Sequence, residues 1–136
     1  MLVMGIDHGE KRTGVAISDP TGTIAGRAFT VTMSERPALV RKLADIAREE
    51  KIEAVVVGKP LNMDGSAGPR AAGCAALAAE LAAATGLRVS LADERLTTVA
   101  AYSYLRAGGK NARQGKKEVD AVAASIILQQ YLDGLR

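Results

Sequence analysis

The sequence predicts an α/β domain built on one mixed sheet, and three observations carry that reading. Two short apolar runs, Leu2 to Ile6 and Gly14 to Ser18, flank a turn that holds Gly9 and the basic pair Lys11-Arg12. Such a pattern is a β-hairpin of two buried strands. Ile52 to Val57 is a β-branched run without polar alternation, the mark of a strand covered on both faces. The order of elements is three strands, helix, strand, helix, strand and helices, which places an antiparallel meander before parallel strands joined by helical crossovers. The expected sheet has five strands, three antiparallel and then two parallel. It lies in a single domain over residues 1–136, since no internal repeat or boundary interrupts the chain.

The elements follow in order. Pro20-Thr21-Gly22 turns the second strand, and Ile24 to Thr32 alternates as a third. Ser34 is the expected N-cap of a helix with Pro37 in its first turn, and Leu39, Val40, Leu43, Ile46 and Ala47 recur at helical spacing. The strand at Ile52 to Val57 ends at Gly58-Lys59-Pro60, and a loop carries Asn62, Asp64, Gly65 and Gly68. A helix is expected from Pro69 to about Thr85, stopped by Gly86. Leu87 to Ala92 is a short strand closed by Asp93-Glu94-Arg95, and Thr97 or Thr98 caps a helix through Leu105. Ala107 to Lys117 is Gly-rich and basic and is expected to be a mobile loop. Val119 to Leu135 is the last helix.

Composition bounds the class. The 136 residues are 48% hydrophobic and 24% charged, so the chain can bury a real core. A net charge of +3 permits nucleic-acid binding without demanding it. The single cysteine, Cys74, excludes an internal disulfide and sits in an Ala-rich helical run as a small buried hydrophobe. No signal-peptide pattern and no bilayer-length apolar run is present, so cytoplasmic residence is the default expectation and a membrane partner is not.

Three acids stand where chemistry is expected. Asp7 ends the first buried strand, and a carboxylate there must be solvated, paired or bound to a cation, or else cap its own turn. Asp93-Glu94 ends the last strand. In open α/β sheets ligands gather beyond the carboxyl ends of strands, so acids from neighbouring strands would meet at one edge. Asp120 lies along the buried stripe of the last helix, expected in its first turn, where the macrodipole alone would favour an acid. Three carboxylates at one sheet edge repel unless a divalent cation joins them. Two such ions can clamp the attacking and leaving oxygens of a phosphodiester displacement.

Four segments in order, GIDHGEKRTGVAISD, VVVGKPLNMDGSAGPRA, LADERLTTVAA and KKEVDAVAASIILQQYL, resemble the YqgF (RuvX) family across nearly the whole chain. Those proteins are ribonuclease-H-like. They are described as Holliday-junction-resolvase-like and as nucleases that mature the small-subunit ribosomal RNA precursor. The resemblance implies an acidic metal-binding and catalytic triad, which falls by motif position on Asp7, Glu94 and Asp120, with Mg²⁺ or Mn²⁺, as two ions, for cofactor. It implies a metal-dependent nuclease acting on the RNA precursor, with branched DNA the alternative substrate.

Lys11, Arg12 and Arg95 are candidates to hold flanking phosphates, Arg as a bidentate donor and Lys as a point charge. Asn62, in the loop that borders nucleic acid by the resemblance, and Lys59 beside it join them. So do Lys110 and Arg113, with Lys116 and Lys117, in the basic loop. Arg95 has an alternative in a salt bridge to Asp93 or Glu94. By the resemblance, His8 stands where relatives often carry an apolar or aromatic residue, Lys59 where an aliphatic one is common, and Ala100 where a second acid can occur. The aromatics Phe29, Tyr102, Tyr104 and Tyr131 are too few for a base-stacking platform, so recognition is expected through backbone and shape. The first motif also resembles the phosphate loop of actin-like ATPases and sugar kinases, but one short domain does not enclose their cleft. A catalytically inactive RNA-binding module is the remaining alternative. A resolvase requires a two-fold dimer and an RNA-trimming enzyme does not, so monomer and homodimer both stay open.

Overall fold

A computed structural model describes residues 1–9, 11–59, 68–93 and 112–135. Among them are strands β1 (Val3–His8), β2 (Arg12–Ser18), β3 (Ala25–Thr32), β4 (Ala54–Lys59) and β5 (Arg88–Asp93), and helices α1 (Arg36–Glu49), α2 (Pro69–Thr85) and α3 (Ala112–Gly134). The sheet order is β3-β2-β1-β4-β5. β1, β2 and β3 pair antiparallel, whereas β1–β4 and β4–β5 are parallel, as the order of elements predicts.

The pleat sends successive side chains to opposite faces, and the sheet uses both. On one face Met4, Ile6, Val15, Ile17, Val55 and Val57 pack with Leu39, Leu43 and Ile46 of α1 and Leu77 and Leu81 of α2. On the other, Val3, Ala16, Ala54 and Val56 pack with Ala124, Ile127, Leu128 and Leu132 of α3. Burial on both faces is why β4 reads as an unbroken apolar run. Cys74 is buried in the α1/α2 layer, as its Ala-rich surroundings predict.

Helix ends follow partly from sequence. α2 begins on Pro69 and stops at Gly86, whose φ of 72° is the left-handed cap that glycine takes without steric cost. The N-cap of α1 is Glu35, not the expected Ser34, and no side chain bonds into that helix end. α3 begins at Ala112 rather than at Val119. Residues 112–118, Arg113, Lys116 and Lys117 among them, are therefore helical by backbone and not part of a loop. The expected helix from Thr97 or Thr98 to Leu105 lies outside the described residues. No described helix is long and apolar enough to cross a membrane.

Candidate nucleic-acid active site

Asp7 lies within the paired part of β1, opposite Gly14 of β2, and is only 7% exposed. Alternation fixes its face. Val3 packs in the α3 layer, and a Cβ on Gly5 would stand 2.8 Å from Leu128 Cβ of that helix, so Val3, Gly5 and Asp7 face α3.

Gly14 brings the second acid to the same place. A Cβ added there would lie 1.9 Å from the backbone oxygen of Asp120, a distance no side chain tolerates. The backbone of α3 thus rests on the bare backbone of β2 at Asp120, one strand across from Asp7. Contact at Gly14 for Asp120 and at Gly5 for Leu128 also sets the helix direction. α3 enters from the carboxyl end of β1 and runs toward its start. Asp120 stands about two turns inside the helix. The expected first-turn interaction with the macrodipole does not apply to it, because that effect fades within one turn.

Arg12 shares this face with Gly14 and Ala16, and its Nε lies 3.3 Å from Asp120 Oδ2. Arg12 is 34% and Asp120 22% exposed at the side chain, so the pair is half-buried. Lys11 is exposed in the turn, which Gly9 N–H closes by donating to the Arg12 carbonyl at 3.0 Å. His8 follows Asp7 and so leaves the sheet on the α1/α2 face, where its Nδ1 is 3.4 Å from Thr13 Oγ1.

The β5 end is less close than adjacency would make it. β4 stands between β1 and β5, so the two strands are about 10 Å apart. In register, Ile6 is level with Val57, Gly58 with Ala92 and Lys59 with Asp93, so the carboxyl ends of all three parallel strands finish together. Glu94, the next residue, lies outside the described residues, as do Asn62, Arg95 and Lys110. Lys59 closes β4 and Arg113 lies in the first turn of α3 by backbone. Among the described residues no group of three metal-ligating side chains is assembled.

A second aspartate of the hairpin region, Asp19, caps a turn. Asp19, after β2, accepts a hydrogen bond from Thr21 Oγ1 and from the N–H groups of Thr21, Thr23 and Ile24. The Thr21 hydroxyl above all, then the Ile24 and Thr23 N–H groups, hold its carboxyl far below the usual carboxylate range.

Sequence reasoning assigned Arg12 to a flanking phosphate and Gly14 to a motif; the structure places Arg12 on Asp120 and Gly14 under its backbone. The available signal was a glycine and a cation on the strand that must pair with the acid-bearing one.

A mixed sheet in this order with helical layers on both faces is the ribonuclease-H-like fold. The fowlpox virus resolvase, solved with Holliday junction DNA, superposes with a TM-score of 0.67 at 11% identity, covering 99% of each chain. RuvC of Thermus thermophilus, solved with a Holliday junction substrate, gives 0.63 at 17% identity, over 99% of this chain and 95% of that one. Within that class the chain belongs to the RuvX family, described as Holliday junction resolvase, whose model matches residues 1–134. A relative from Moorella thermoacetica, named "Putative pre-16S rRNA nuclease", is 44% identical over 99% of this chain and 96% of its own length.

Proposed function

We propose that this protein is a metal-dependent nuclease that hydrolyses phosphodiester bonds in structured nucleic acid, with the precursor of 16S ribosomal RNA as its substrate. The observation that carries the reading is the meeting of two elements at one point. Asp7 is buried at the end of β1, and Gly14, its partner across the hairpin, seats the Asp120 backbone on the same face. Family membership and the name of the Moorella relative support the substrate class.

The donor set suits a hard divalent cation: carboxylate oxygens at the carboxyl ends of β1 and β5 and on α3, with no sulfur donor among the residues assigned to it. Asp7 and Asp120 would hold it with Glu94, which follows directly on β5. Mg²⁺ or Mn²⁺, as two ions, would supply charge stabilisation for an in-line displacement at phosphorus. The protein's own part is to position. The hairpin register fixes Asp7 and the bare backbone of Gly14 fixes the height of Asp120. Burial keeps the Asp7 carboxylate from bulk water. Lys11, exposed in the turn, can meet a flanking phosphate as a point charge. Lys59, Asn62, Arg95, Lys110 and Arg113 are assigned the same duty. The stretch of α3 before Asp120 carries Arg113, Lys116 and Lys117 along about 12 Å of helix axis.

The family description favours a second reading, resolution of four-way DNA junctions. One experiment separates the two. Purified protein is offered a 16S precursor and a four-way junction side by side in Mg²⁺, Mn²⁺ or Ca²⁺, with its mass in solution measured at the same concentration. The precursor should be cut at its 5′ end in Mg²⁺ or Mn²⁺ and not in Ca²⁺, whose coordination is looser. Symmetrical cleavage of the junction by a two-fold dimer, with the precursor left intact, would transfer the assignment to branched DNA.

A further inference from the structure

We propose that Arg12 is the resident counter-ion of the acidic site and is displaced from Asp120 when a divalent cation binds. The inference rests on the reading of Asp7 and Asp120 as cation ligands and adds a competitor built into the chain.

The hairpin register and the seat of α3 on Gly14 together bring the two side chains to one place. Arg12, Gly14 and Ala16 alternate onto the α3 face of β2, and Gly14 is the point where the Asp120 backbone touches the strand. A long side chain two residues before Gly14, on the same face, reaches the Asp120 carboxylate, and its Nε stands 3.3 Å from Oδ2. Asp7 adds a second carboxylate one strand away, at 7% exposure. Carboxylates gathered in a partly desolvated site raise one another's energy, and a neighbouring cation relieves it. Arginine stays charged at every accessible pH, so it cannot release the carboxylate by losing its proton; the side chain has to move.

A divalent ion on Asp120 meets the guanidinium at close range and like charges repel. Arg12 has somewhere to go: it begins β2 beside the turn, and a third of its side chain is already exposed. Released, it stands at the rim of the site with a planar fork of donors that matches a phosphate. Cation binding is then an exchange rather than an addition. By linkage, a phosphate that captures the freed Arg12 tightens cation binding, and the cation tightens phosphate binding to the same degree.

The test needs no nucleic acid and no turnover. Mn²⁺ is titrated into the parent protein, Arg12→Gln, Arg12→Lys and Asp7→Asn. Free Mn²⁺ is counted by electron paramagnetic resonance and thermal unfolding is followed in parallel. Arg12→Gln should half-saturate at a Mn²⁺ concentration lower by about tenfold, the scale of one charge contact in a partly solvated site. Arg12→Lys should stay near the parent. Without metal, Arg12→Gln should unfold at a lower temperature than the parent. Half-saturation unchanged or raised in Arg12→Gln would overturn the exchange. A second measurement does not depend on the variant folding. In ¹⁵N-labelled parent protein the Arg12 Nε–H resonance should shift on addition of Mg²⁺, and a resonance that stays in place overturns the proposal. Asp7→Asn separates the two levels. If the parent binds Mn²⁺ weakly and Asp7→Asn does not change it, the acidic site itself is wrong and the counter-ion falls with it. If Asp7→Asn abolishes binding while Arg12→Gln leaves it alone, only the counter-ion is wrong.

Discussion

The two faces of β1 divide core from site within one six-residue strand. Met4 and Ile6 point into the α1/α2 layer and meet large aliphatic side chains, all fully buried. Val3, Gly5 and Asp7 point at α3; Val3 packs with that helix, and the strand then has no side chain until the carboxylate. The first face is held by volume throughout. The second has an aliphatic core at one end and bare backbone at the other: Gly5 and Gly14 let a helix backbone lie directly on strands, and that contact delivers Asp120. A site built by close backbone approach is positioned as rigidly as a core, because bonded backbones yield far less than side chains. Damage to the first face should therefore cost stability and spare chemistry, and damage to the second should do the reverse.

The largest expected effect is on the α3 face. Asp7→Asn keeps size and hydrogen-bonding capacity, so the protein should remain folded, while cleavage falls by roughly 100-fold or more, the loss typical when one charge-stabilising group leaves a preorganised site. Purified variant that still cuts at the parental rate would remove Asp7 from the active site. Ile6→Ala is the opposing experiment, one residue away. Ile6 is fully buried, and its truncation should cost about 2–5 kcal/mol in chemical denaturation. The rate per folded molecule should be close to parental. A large fall in that rate at a temperature where the variant is folded would show that the two faces are not independent.

Gly14→Ala tests the division on backbone alone. Its new methyl would overlap the Asp120 carbonyl oxygen at 1.9 Å, so α3 must lift off β2. Overpacking of this kind costs about 1–3 kcal/mol or more, and here the helix that moves carries a proposed ligand. Loss of cleavage out of proportion to the loss of stability is the expected signature. Gly5→Ala should be milder for chemistry. Its methyl would meet the Ala124 carbonyl oxygen at 3.0 Å and Leu128 Cβ at 2.8 Å, about one and two turns along the helix from Asp120. Equal losses of activity in the two variants would mean that α3 shifts as one rigid rod, with no local coupling at Asp120.

The legible parts of this molecule are those with local causes. The hairpin, the buried β4 and the ends of α2 follow from alternation, β-branching, Pro69 and Gly86, although β4 spans Ala54–Lys59, two residues later at each end than the expected Ile52 to Val57. Asp7 and Asp120 were visible as acids that packing does not require. Contacts between distant segments were not legible. No pattern in the chain says that Gly14 meets Asp120, or that Arg12 pairs with it, because both depend on where α3 crosses the sheet. The sheet order put β4 between β1 and β5, where sequence allowed direct adjacency. The start of α3 is hard to read from sequence for a definable reason. Gly115 lowers the helical propensity and residues 112–118 carry no apolar period, although the Arg, Gln, Lys and Glu around the glycine are good helix formers; the described backbone continues the helix through them. Glu94, the third proposed ligand, follows the last described residue of β5, and its assignment rests on the family motif alone.

The smallest effect expected belongs to the other aspartate of the hairpin region, Asp19, which has a structural duty and no part in the proposed site. It is partly exposed, and the Thr21 hydroxyl with the Ile24, Thr23 and Thr21 N–H groups holds its carboxyl strongly below the ordinary value of 3.8. A carboxylate whose folded-state pKa is depressed binds its proton more readily unfolded. Its contribution to stability is therefore complete above the unfolded pKa near 4 and is lost as pH falls through the folded one. Asp19→Asn keeps one acceptor oxygen but loses the charge, so parent and variant should differ most at neutral pH and converge as pH falls below about 4. Solvent screening at this exposed turn keeps the difference small. Urea unfolding of both proteins between pH 7 and pH 2, in buffers of matched ionic strength, measures it. Cleavage rates at neutral pH should be the same, because the turn after β2 lies at the end of the hairpin away from Asp7. A stability difference that does not change with pH would mean that the Asp19 charge is not what holds the turn. A fall in cleavage would mean that the β2–β3 turn reaches the site through the sheet, and that the separation of the two ends is incomplete.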